Sequence, residues 1–255
     1  MQLYFKKYGD SGQPIIILHG LFGMSDNWHN IARKLSETYV VYTIDQRNHG
    51  QSAHSSKMNF SLMADDVWET MESQNIDSAI LIGHSMGGKT AMKFADKYPS
   101  KISKLVVIDI APKAYPAGHQ IYFDALKSIN FNAESRKEIE EQLAKQVTNY
   151  GELLFLLKNL YRKEEGGFGL KVNVEGIEHN YSEIIAPLEF NHLITTPTCF
   201  ISGALSKYIR IEDEEAIKKQ FSDVCFRSVP EAGHWVHADN PTQFMNELIK
   251  FLNPQ

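Results

Sequence analysis

The chain has 255 residues, of which 43% are hydrophobic and 22% are charged, a composition typical of a globular protein that buries a core. Its formal net charge of -5 excludes the basic surface of a nucleic-acid-binding protein. No stretch approaches the length of a membrane span, and Met1–Gly9 lacks the long apolar run of a secretory signal, so we expect a cytoplasmic protein with no membrane partner.

Short β-rich runs alternate with helical patterns in the first half of the sequence. Continuous apolar runs, typical of parallel strands covered on both faces, occur at Ile15–Leu18, Val40–Ile44, Ala79–Ile82 and Leu105–Ile110. Gln2–Lys7 leaves room for one antiparallel strand. Three helical patterns lie between these runs. The first is Trp28–Leu35, the second follows Ser61 as its predicted N-cap, and the third is Met86–Tyr98, which ends before Pro99. The alternation predicts an α/β protein with a mostly parallel sheet and right-handed crossovers.

The pattern changes between Pro112 and Leu193, where strand signals nearly vanish. Helical periodicity appears at Tyr122–Ile129, Ser135–Val147 and Glu152–Leu160, before a turn at Gly166, Gly167 and Gly169. Strand signals resume at Thr198–Ser202 and Cys225–Val229, and a last helix begins at Pro241 with Asn240 as its N-cap. We therefore expect a core formed by residues 1–111 and 194–255, and a helical cap formed by residues 112–193.

The two cysteines, Cys199 and Cys225, both lie in apolar runs that are typical of strands. Free cysteines are among the most frequently buried residues. We therefore expect both to be packing residues, and neither to form a disulfide or a metal site.

The strongest chemical signal is the string Gly83-His84-Ser85-Met86-Gly87-Gly88, which follows a predicted strand and opens a helix. A serine on such a sharp turn has a strained backbone that presents its Oγ above the sheet. The residues two before and two after it come close together, which requires Gly83 and Gly87. The helix N-terminus also places the Met86 N–H beside the serine. The string predicts Ser85 as a nucleophile and Met86 as one oxyanion donor.

A nucleophilic serine needs a second backbone donor to hold the developing oxyanion. The segment His19-Gly20-Leu21-Phe22-Gly23 directly follows the strand Ile15–Leu18, where the second donor of such a site stands. We assign this donor to the Leu21 N–H, with Phe22 as the alternative. His19 is expected to be a structural hydrogen-bonding residue of the loop.

The general base is expected on the loop after the last strand, where the sequence reads Ala232-Gly233-His234-Trp235-Val236-His237. His234 is the preferred candidate because Gly233 supplies the turn beside it, and His237 is the second candidate. The other histidines are predicted to be ordinary loop or surface residues: His49, His54, His119, His179 and His192. Asp45 and Arg47 are expected to hydrogen-bond backbone groups in a loop near the site.

Together these strings resemble one branch of the α/β-hydrolase family. The strings are H-G-L-F-G, D-x-R-N-H-G-x-S, G-H-S-M-G-G-K, V-V-I-D-I-A-P and A-G-H-W-V-H-A-D. That branch holds small cytoplasmic bacterial carboxylesterases and acyl thioesterases, and is similar to a mitochondrial α/β-hydrolase-domain protein. The resemblance covers nearly the whole chain and is weakest between Pro112 and Leu193. It implies an eight-stranded, mostly parallel sheet with a helical cap over the site.

The acid of the predicted triad is not at the position that most members of this family use. The turn after Thr198–Ser202 holds Ser206 there, and a hydroxyl carries no charge with which to stabilise an imidazolium. Asp109, at the end of the preceding strand, is the predicted acid, and the resembling branch has this aspartate in the same setting. Ser206 is then expected to hydrogen-bond Asp109 or the base. Asp213 is the alternative acid, and Asp239 is assigned to the turn before the last helix.

These residues indicate a serine carboxylesterase or acyl thioesterase that hydrolyses small to medium acyl esters or acyl-coenzyme A through an acyl-enzyme. Phe22 and Trp235 are expected to line the substrate pocket. Most apolar residues of the cap should pack it against the core, and a few should line an acyl pocket: Tyr115, Phe123, Leu153, Phe155, Leu156, Leu160 and Tyr161. No metal or cofactor is expected, because no cluster of residues has ligand spacing.

Two other functions remain open at this point, because one fold hosts many reactions. The first is a carbon–carbon bond hydrolase or a cofactorless haloperoxidase or perhydrolase, which would use the same three catalytic residues. The second is a non-enzymatic protein that binds a ligand in the retained pocket. A fluorophosphonate probe that fails to label the protein would favour the second.

Overall fold

The computed structural model describes residues 1–253. Its strands are β1 Phe5–Tyr8, β2 Pro14–Leu18, β3 Val40–Ile44, β4 Ala79–His84, β5 Ile102–Ile108, β6 Leu160–Arg162, β7 Phe168–Leu170, β8 Thr198–Gly203 and β9 Val224–Val229. Seven of them form one sheet in the order β1-β3-β2-β4-β5-β8-β9. All neighbours in this sheet are parallel except β1, which pairs antiparallel with β3.

The sheet of the described residues has seven strands, so the expected count of eight is wrong. The short segment before β2 supplies a single antiparallel strand, which begins at Phe5 rather than at the predicted Gln2. The parallel strands agree closely with their predicted positions. Strand β3 is buried at every residue and β2 at four of five, because helices and the insertion cover both faces of a parallel sheet.

The helices that flank the sheet and fill the rest of the chain are α1 His29–Leu35, α2 Phe60–Ser73, α3 Met86–Lys97, α4 Gln120–Lys127, α5 Arg136–Leu143, α6 Tyr150–Leu157, α7 Val174–His179, α8 Tyr181–Ile185, α9 Ile211–Lys218, α10 Val236–Asp239 and α11 Pro241–Leu252. The prediction of Ser61 as the N-cap of α2 is wrong. The Asn59 side chain accepts from the Leu62 N–H, because Asn59 has the extended backbone of an N-cap residue. The predicted cap of α11 is confirmed, since the Asn240 side chain accepts from the Gln243 N–H.

Side chains of the strands alternate between the two faces of the sheet and build two apolar cores. Ile15 and Ile17 of β2 pack with α1 and α11 in one core. Ile16 and Leu18 pack in the other core with α2, α3 and the helices that follow β5. The alternation follows from the two-residue period of a strand, and it explains why a fully apolar run is needed at β2.

Residues 112–193, which we call the insertion, contain α4 to α8. The two-stranded hairpin of β6 and β7 lies there as well. The sequence did not predict this hairpin, because its strands have three residues each and Leu160 continued a helical pattern. Gly166 and Gly167 both have positive φ at the hairpin turn. The division of the chain into core and cap at residues 112 and 193 stays a prediction.

The buried amine of Lys89, on α3, forms hydrogen bonds with both ends of the insertion. Lys89 Nζ donates to the Lys113 carbonyl at 2.9 Å and to the Ala186 carbonyl at 2.6 Å, and it lies 5.1 Å from the ring centre of Tyr115. Within residues 1–253 no carboxylate pairs with this amine. Burial accordingly lowers the pKa of Lys89 to about 8.

The two cysteines are register partners on β8 and β9, and both thiols are free. Cys199 is fully buried, as predicted. Cys225 is partly exposed, which differs from the prediction, because β9 is one of the two edge strands of the sheet. None of the helices among residues 1–253 is both long and apolar enough to cross a membrane.

Candidate active site

Ser85 sits on the sharp turn between β4 and α3. Its φ is 52° and its ψ is -119°, a conformation that costs a residue other than glycine about 1–3 kcal/mol. A Cβ atom on Gly83 would lie 2.2 Å from the Gly87 carbonyl oxygen, and one on Gly87 would lie 2.4 Å from the Leu18 carbonyl oxygen. Both positions therefore require glycine. For Gly83 the reason is the predicted close approach to Gly87, whereas for Gly87 it is the backbone at the end of β2.

Three side chains meet at this turn, each from the carboxyl end of a different strand. His234, on the loop after β9, has its Nε2 3.1 Å from Ser85 Oγ. Its Nδ1 lies 2.8 Å from Asp109 Oδ2, at the end of β5. The His234 ring therefore connects the serine hydroxyl to a carboxylate that is fully buried.

Asp109 receives three hydrogen bonds in total, because two more donors come from the turn after β8. The Ser206 hydroxyl donates to Asp109 Oδ2 at 2.5 Å, and the Gly203 N–H donates to Oδ1 at 3.3 Å. Asp109 also has a positive φ of 50°. The Ser206 hydroxyl and His234 Nδ1 thus contact the same oxygen of Asp109.

The two other carboxylates that the sequence offered lie elsewhere. Asp213 Oδ2 accepts from the Arg210 N–H at the start of α9 and pairs with Lys113 Nζ at 2.5 Å. Asp239 Oδ2 accepts from the Gly233 N–H at 2.8 Å, and so it supports the loop that carries His234. Neither contacts the His234 ring within the described residues.

Sequence reasoning missed two residues that orient His234. The Tyr208 ring stacks on the imidazole, with centroids 3.7 Å apart and an interplanar angle of 15°. His84 Nε2 donates to the His234 carbonyl at 2.8 Å. His84 stands next to Ser85 in the sequence, so its role could have been suspected, whereas nothing in the sequence near Tyr208 indicates the stacking. His237 instead stacks on Trp28, with centroids 4.0 Å apart.

The loop from His19 to Gly23 faces the serine turn. The Phe22 N–H donates to His49 Nε2 at 3.1 Å, and the Phe22 carbonyl accepts from the Asn159 side chain at 2.9 Å. Within residues 1–253 no acceptor bonds the Leu21 or the Met86 N–H. These two free donors, rather than Phe22, are therefore available to a substrate oxygen.

Buried histidines hold this loop, as expected for His19 but not for His49. His19 Nδ1 donates to the Gly20 carbonyl at 2.8 Å, and its Nε2 accepts from the Gln46 N–H at 3.0 Å. His49 is fully buried, so its prediction as a loop or surface residue is wrong. Burial lowers the pKa of His19 to about 4 and that of His49 to about 3, which keeps both rings neutral.

The neighbouring loop after β3 contains Asp45 and Arg47. Asp45 accepts from the Ser25 N–H at 2.6 Å and from the Gln51 N–H at 2.8 Å, as expected. Arg47 donates to two backbone carbonyls, and it also forms a buried ion pair with Asp66 at 2.6 Å that the sequence did not predict.

A cavity of about 220 Å³ opens at Ser85 and His234. Phe22 and Trp235 line it, and the insertion adds Phe155 and Leu156. The cavity is lined further by His19, Gly20, Leu21, Gly23, Asn27, Trp28, His84, His119, Tyr122, Glu152, Tyr208 and His237. His119 was predicted to be an ordinary loop or surface residue. It does lie in the loop just before α4, but its side chain lines the cavity.

The remaining apolar residues of the insertion divide into two groups. Phe123, Leu153 and Leu160 are buried in the core on that side of the sheet. Tyr115 packs against the same core, and its hydroxyl donates to the Tyr208 carbonyl at 2.8 Å. Tyr161 is 44% exposed. Most of the set therefore packs the insertion, and Phe155 and Leu156 reach the cavity.

The architecture and the serine turn define an α/β hydrolase, and comparisons with known proteins agree. The family described as alpha/beta hydrolase fold matches residues 13–241. The chain is 37% identical over 259 residues to the sn-1-specific diacylglycerol lipase ABHD11 of Danio rerio, which covers 98% of this chain and 81% of that protein. It is 39% identical over 241 residues to a putative esterase/lipase of Haemophilus influenzae, covering 94% of this chain and 83% of that protein.

A solved structure is also similar along nearly the whole length. A marine microorganism esterase superposes with a TM-score of 0.96 at 44% sequence identity, covering 98% of this chain and 99% of that one. The chain therefore belongs to the α/β-hydrolase family, which confirms the resemblance seen in its sequence. Its similar proteins include enzymes named as esterases and lipases.

Proposed function

We propose that the protein is a serine esterase that hydrolyses small to medium acyl esters through an acyl-enzyme. The observation that carries this proposal is the continuous hydrogen-bonded path from Ser85 Oγ through His234 to Asp109, with distances of 3.1 and 2.8 Å. A nucleophile, a base and a carboxylate that orients the base are what acyl transfer to a serine requires.

In the first half of the reaction, Ser85 Oγ attacks the carbonyl carbon while His234 Nε2 takes the hydroxyl proton. The carbonyl oxygen becomes an oxyanion, which the Leu21 and Met86 N–H groups hold. Asp109 stabilises the imidazolium that forms on His234, because its carboxylate accepts from Nδ1–H. His234 then gives the proton to the leaving alcohol or thiol as the tetrahedral intermediate collapses, which leaves the acyl group on Ser85.

In the second half, a water molecule replaces the leaving group. His234 Nε2 takes a proton from this water, and the resulting hydroxide equivalent attacks the acyl carbon. The same two N–H groups hold the second oxyanion. Collapse of the intermediate returns the proton to Ser85 Oγ and releases the carboxylic acid, so the enzyme is regenerated.

Ser206 and Tyr208 position the catalytic groups rather than react. The Ser206 hydroxyl donates to the same Asp109 oxygen that receives His234 Nδ1, so it fixes the carboxylate. The Tyr208 ring lies flat against the imidazole, and it restricts rotation of the ring that must transfer the proton twice.

The cavity supports a preference for small to medium acyl groups. Its volume of about 220 Å³ lies below the range of roughly 300–1,000 Å³ found for drug-sized ligands. Apolar side chains such as Phe155, Leu156 and Trp235 form much of its wall. An acyl thioester such as acyl-coenzyme A would react by the same steps, with a thiolate as the leaving group, and we include it among the substrates to be tested.

Replacement of Ser85 by alanine tests the proposal most directly. We expect purified Ser85→Ala to lose hydrolysis by a factor on the order of 10⁴ to 10⁶ in kcat and to lose labelling by a fluorophosphonate probe. The assay is a panel of nitrophenyl esters and acyl-coenzyme A esters of increasing chain length. Ser202→Ala, a serine on β8 outside the cavity, is the matched control. More than a few per cent of wild-type activity in Ser85→Ala would refute the assignment.

A further inference from the structure

A carboxylate and a phenol from the insertion form a polar pair on the wall of the cavity. Glu152 stands in the first turn of α6, and Tyr122 lies on α4. The Tyr122 hydroxyl donates to Glu152 Oε2 at 2.7 Å, and both residues line the same cavity as Ser85. The ester chemistry described above uses neither of them.

The pair lies close to the reacting groups. The Tyr122 ring packs edge-on against Phe22, with centroids 6.3 Å apart, and Phe22 directly follows the proposed oxyanion donor Leu21. Phe155, three residues beyond Glu152 on α6, packs against Trp235, with centroids 5.6 Å apart. The cavity face of α6 therefore spans the space between the oxyanion loop and the loop of His234.

The described wall of the cavity carries a carboxylate but no lysine or arginine. Among the described residues that line the cavity, Glu152 is the one carboxylate, and none is a lysine or an arginine. Within residues 1–253, Glu152 Oε1 has no donor, and a carboxylate can accept about four hydrogen bonds in all. Burial and the bond to Glu152 raise the pKa of Tyr122, so the phenol stays the donor in this pair and the Glu152 carboxylate stays the acceptor.

We propose that Glu152, with Tyr122, forms a subsite that accepts a hydroxyl group of the substrate and rejects a carboxylate. The free Glu152 oxygen accepts from an alcohol O–H, and a hydrogen bond to an ionised acceptor is stronger than one to a neutral acceptor. A substrate carboxylate meets a like charge there, and no lysine or arginine among the described lining residues offsets it. The inference rests on the proposed ester hydrolysis, and it names the substrate class as neutral hydroxy esters.

The hydroxyl can belong to either half of the ester, and two pairs of substrates distinguish the halves. For the alcohol half, 1-monobutyrin is compared with propyl butyrate. For the acyl half, ethyl 3-hydroxybutyrate is compared with ethyl butyrate. A third pair, monoethyl succinate and ethyl pentanoate, measures the rejection of a carboxylate. The quantity measured for each pair is the ratio of the two kcat/KM values.

We expect the wild-type protein to prefer the hydroxy ester in one of the first two pairs by about tenfold. Glu152→Gln should lower that ratio about tenfold and raise the relative rate on monoethyl succinate about tenfold, since the amide keeps an acceptor for Tyr122 but carries no charge. Tyr122→Phe should retain the rejection of the carboxylate. Glu141→Gln, on the exposed side of α5, is the matched control.

A purely structural role for Glu152 predicts a different result. All esters would then slow by the same factor in Glu152→Gln, and the three ratios would stay at their wild-type values, which would overturn the proposal. If Glu152→Gln does not fold, Glu152→Asp keeps the charge and replaces it in the test. Because Glu152→Asp keeps the negative charge, it should still reject monoethyl succinate. Loss of that rejection would also contradict the proposal.

A binding experiment shows whether the subsite proposal is wrong independently of whether the proposed ester hydrolysis is wrong. Binding of 1-monobutyrin, ethyl 3-hydroxybutyrate, monoethyl succinate and their matched neutral esters to Ser85→Ala is measured by calorimetry, which needs no turnover. If wild-type protein hydrolyses none of the esters, the proposed function is wrong, and the dissociation constants still decide the subsite. Equal affinities within every pair would reject it, and a hydroxy ester that binds about tenfold more tightly would support it.

Discussion

Two regions face each other across the cavity, and they are built in different ways. On the core side, Ser85 and Asp109 are held at positive φ on turns at the ends of parallel strands. On the insertion side, α6 presents Phe155 and Leu156 to the cavity while Tyr150 and Leu154 are 64% and 39% exposed. The core side holds the hydrogen-bonded side chains on turns at strand ends, and we propose that the insertion side is the wall that selects among esters.

Neutralising the carboxylate on the core side should have the largest effect. Asp109→Asn should lower kcat by on the order of 10⁴ for every ester, because an amide can leave His234 in the wrong tautomer. Steady-state kinetics on a short and a long nitrophenyl ester measure this loss. Asp213→Asn, which removes a surface partner of Lys113, is the matched control. An active Asp109→Asn beside an inactive Asp213→Asn would reverse the assignment of the acid.

Variants of Ser206 test how strongly kcat depends on the hydrogen bond that orients the Asp109 carboxylate. Ser206→Ala removes one donor to the Asp109 carboxylate, worth roughly 1.5 kcal/mol, and should lower kcat about tenfold. Aspartate at this position, introduced into Asp109→Asn, should restore part of the rate, because Ser206 Oγ lies 2.5 Å from Asp109 Oδ2. The absence of any recovery would show that the turn after β8 cannot supply the acid.

Acid should destabilise the core side through its buried neutral histidines. The pKa of His49 is about 3 in the folded protein and about 6.5 in an unfolded chain. Between these values the unfolded state binds more protons, so the free energy of unfolding falls as the pH falls below about 6.5. At pH 5 the loss amounts to roughly 2 kcal/mol for this one residue.

Urea unfolding at pH 8 and pH 5 measures that loss. In His49→Gln the difference between the two free energies of unfolding should shrink by about 2 kcal/mol. His179→Gln, at an exposed histidine of the insertion, should leave the difference unchanged. An equal acid sensitivity in wild type and His49→Gln would contradict the assignment of a neutral, buried His49.

The smallest effect is expected on the insertion side. Phe155→Ala enlarges the cavity, so the preferred acyl chain should lengthen, and the ratio of kcat/KM for long over short nitrophenyl esters should rise a few-fold to about tenfold. Leu154→Ala, which alters an exposed neighbour on the same helix, should leave the ratio unchanged. A chain-length profile that is identical in Phe155→Ala and wild type would show that this wall does not select the acyl group.

The parts of the molecule that the sequence predicted are those in which a local pattern determines the structure. Strands β2, β3 and β4 could be predicted because both of their faces are buried, which leaves a continuous apolar run. The serine turn could be predicted because two glycines are required around it. Asp109 was predicted from its place at the end of the strand that precedes Thr198–Ser202, together with the family resemblance, because composition and periodicity alone do not distinguish it from other aspartates.

The parts that escaped prediction depend on contacts between segments distant in the chain. His49 supports Phe22 across 27 residues, and Asn159 reaches the same residue across 137. The stacking of Tyr208 on His234 needs two loops to meet, and no local pattern encodes their distance. Glu152 likewise looked like an ordinary acidic residue at a helix start until the fold placed it beside Tyr122.

The hydrogen bonds from Lys89 to both ends of the insertion have a consequence for how the insertion can vary in length. The Lys89 amine bonds both the Lys113 and the Ala186 carbonyls. The two ends of the segment between them are therefore close together in space, and the segment is a closed loop. The entropy of closing such a loop grows only with the logarithm of its length, by about 0.6 kcal/mol for each doubling. A change in the length of the segment above this joint therefore costs little in loop closure, and its cost lies in the packing contacts that the segment makes with the core.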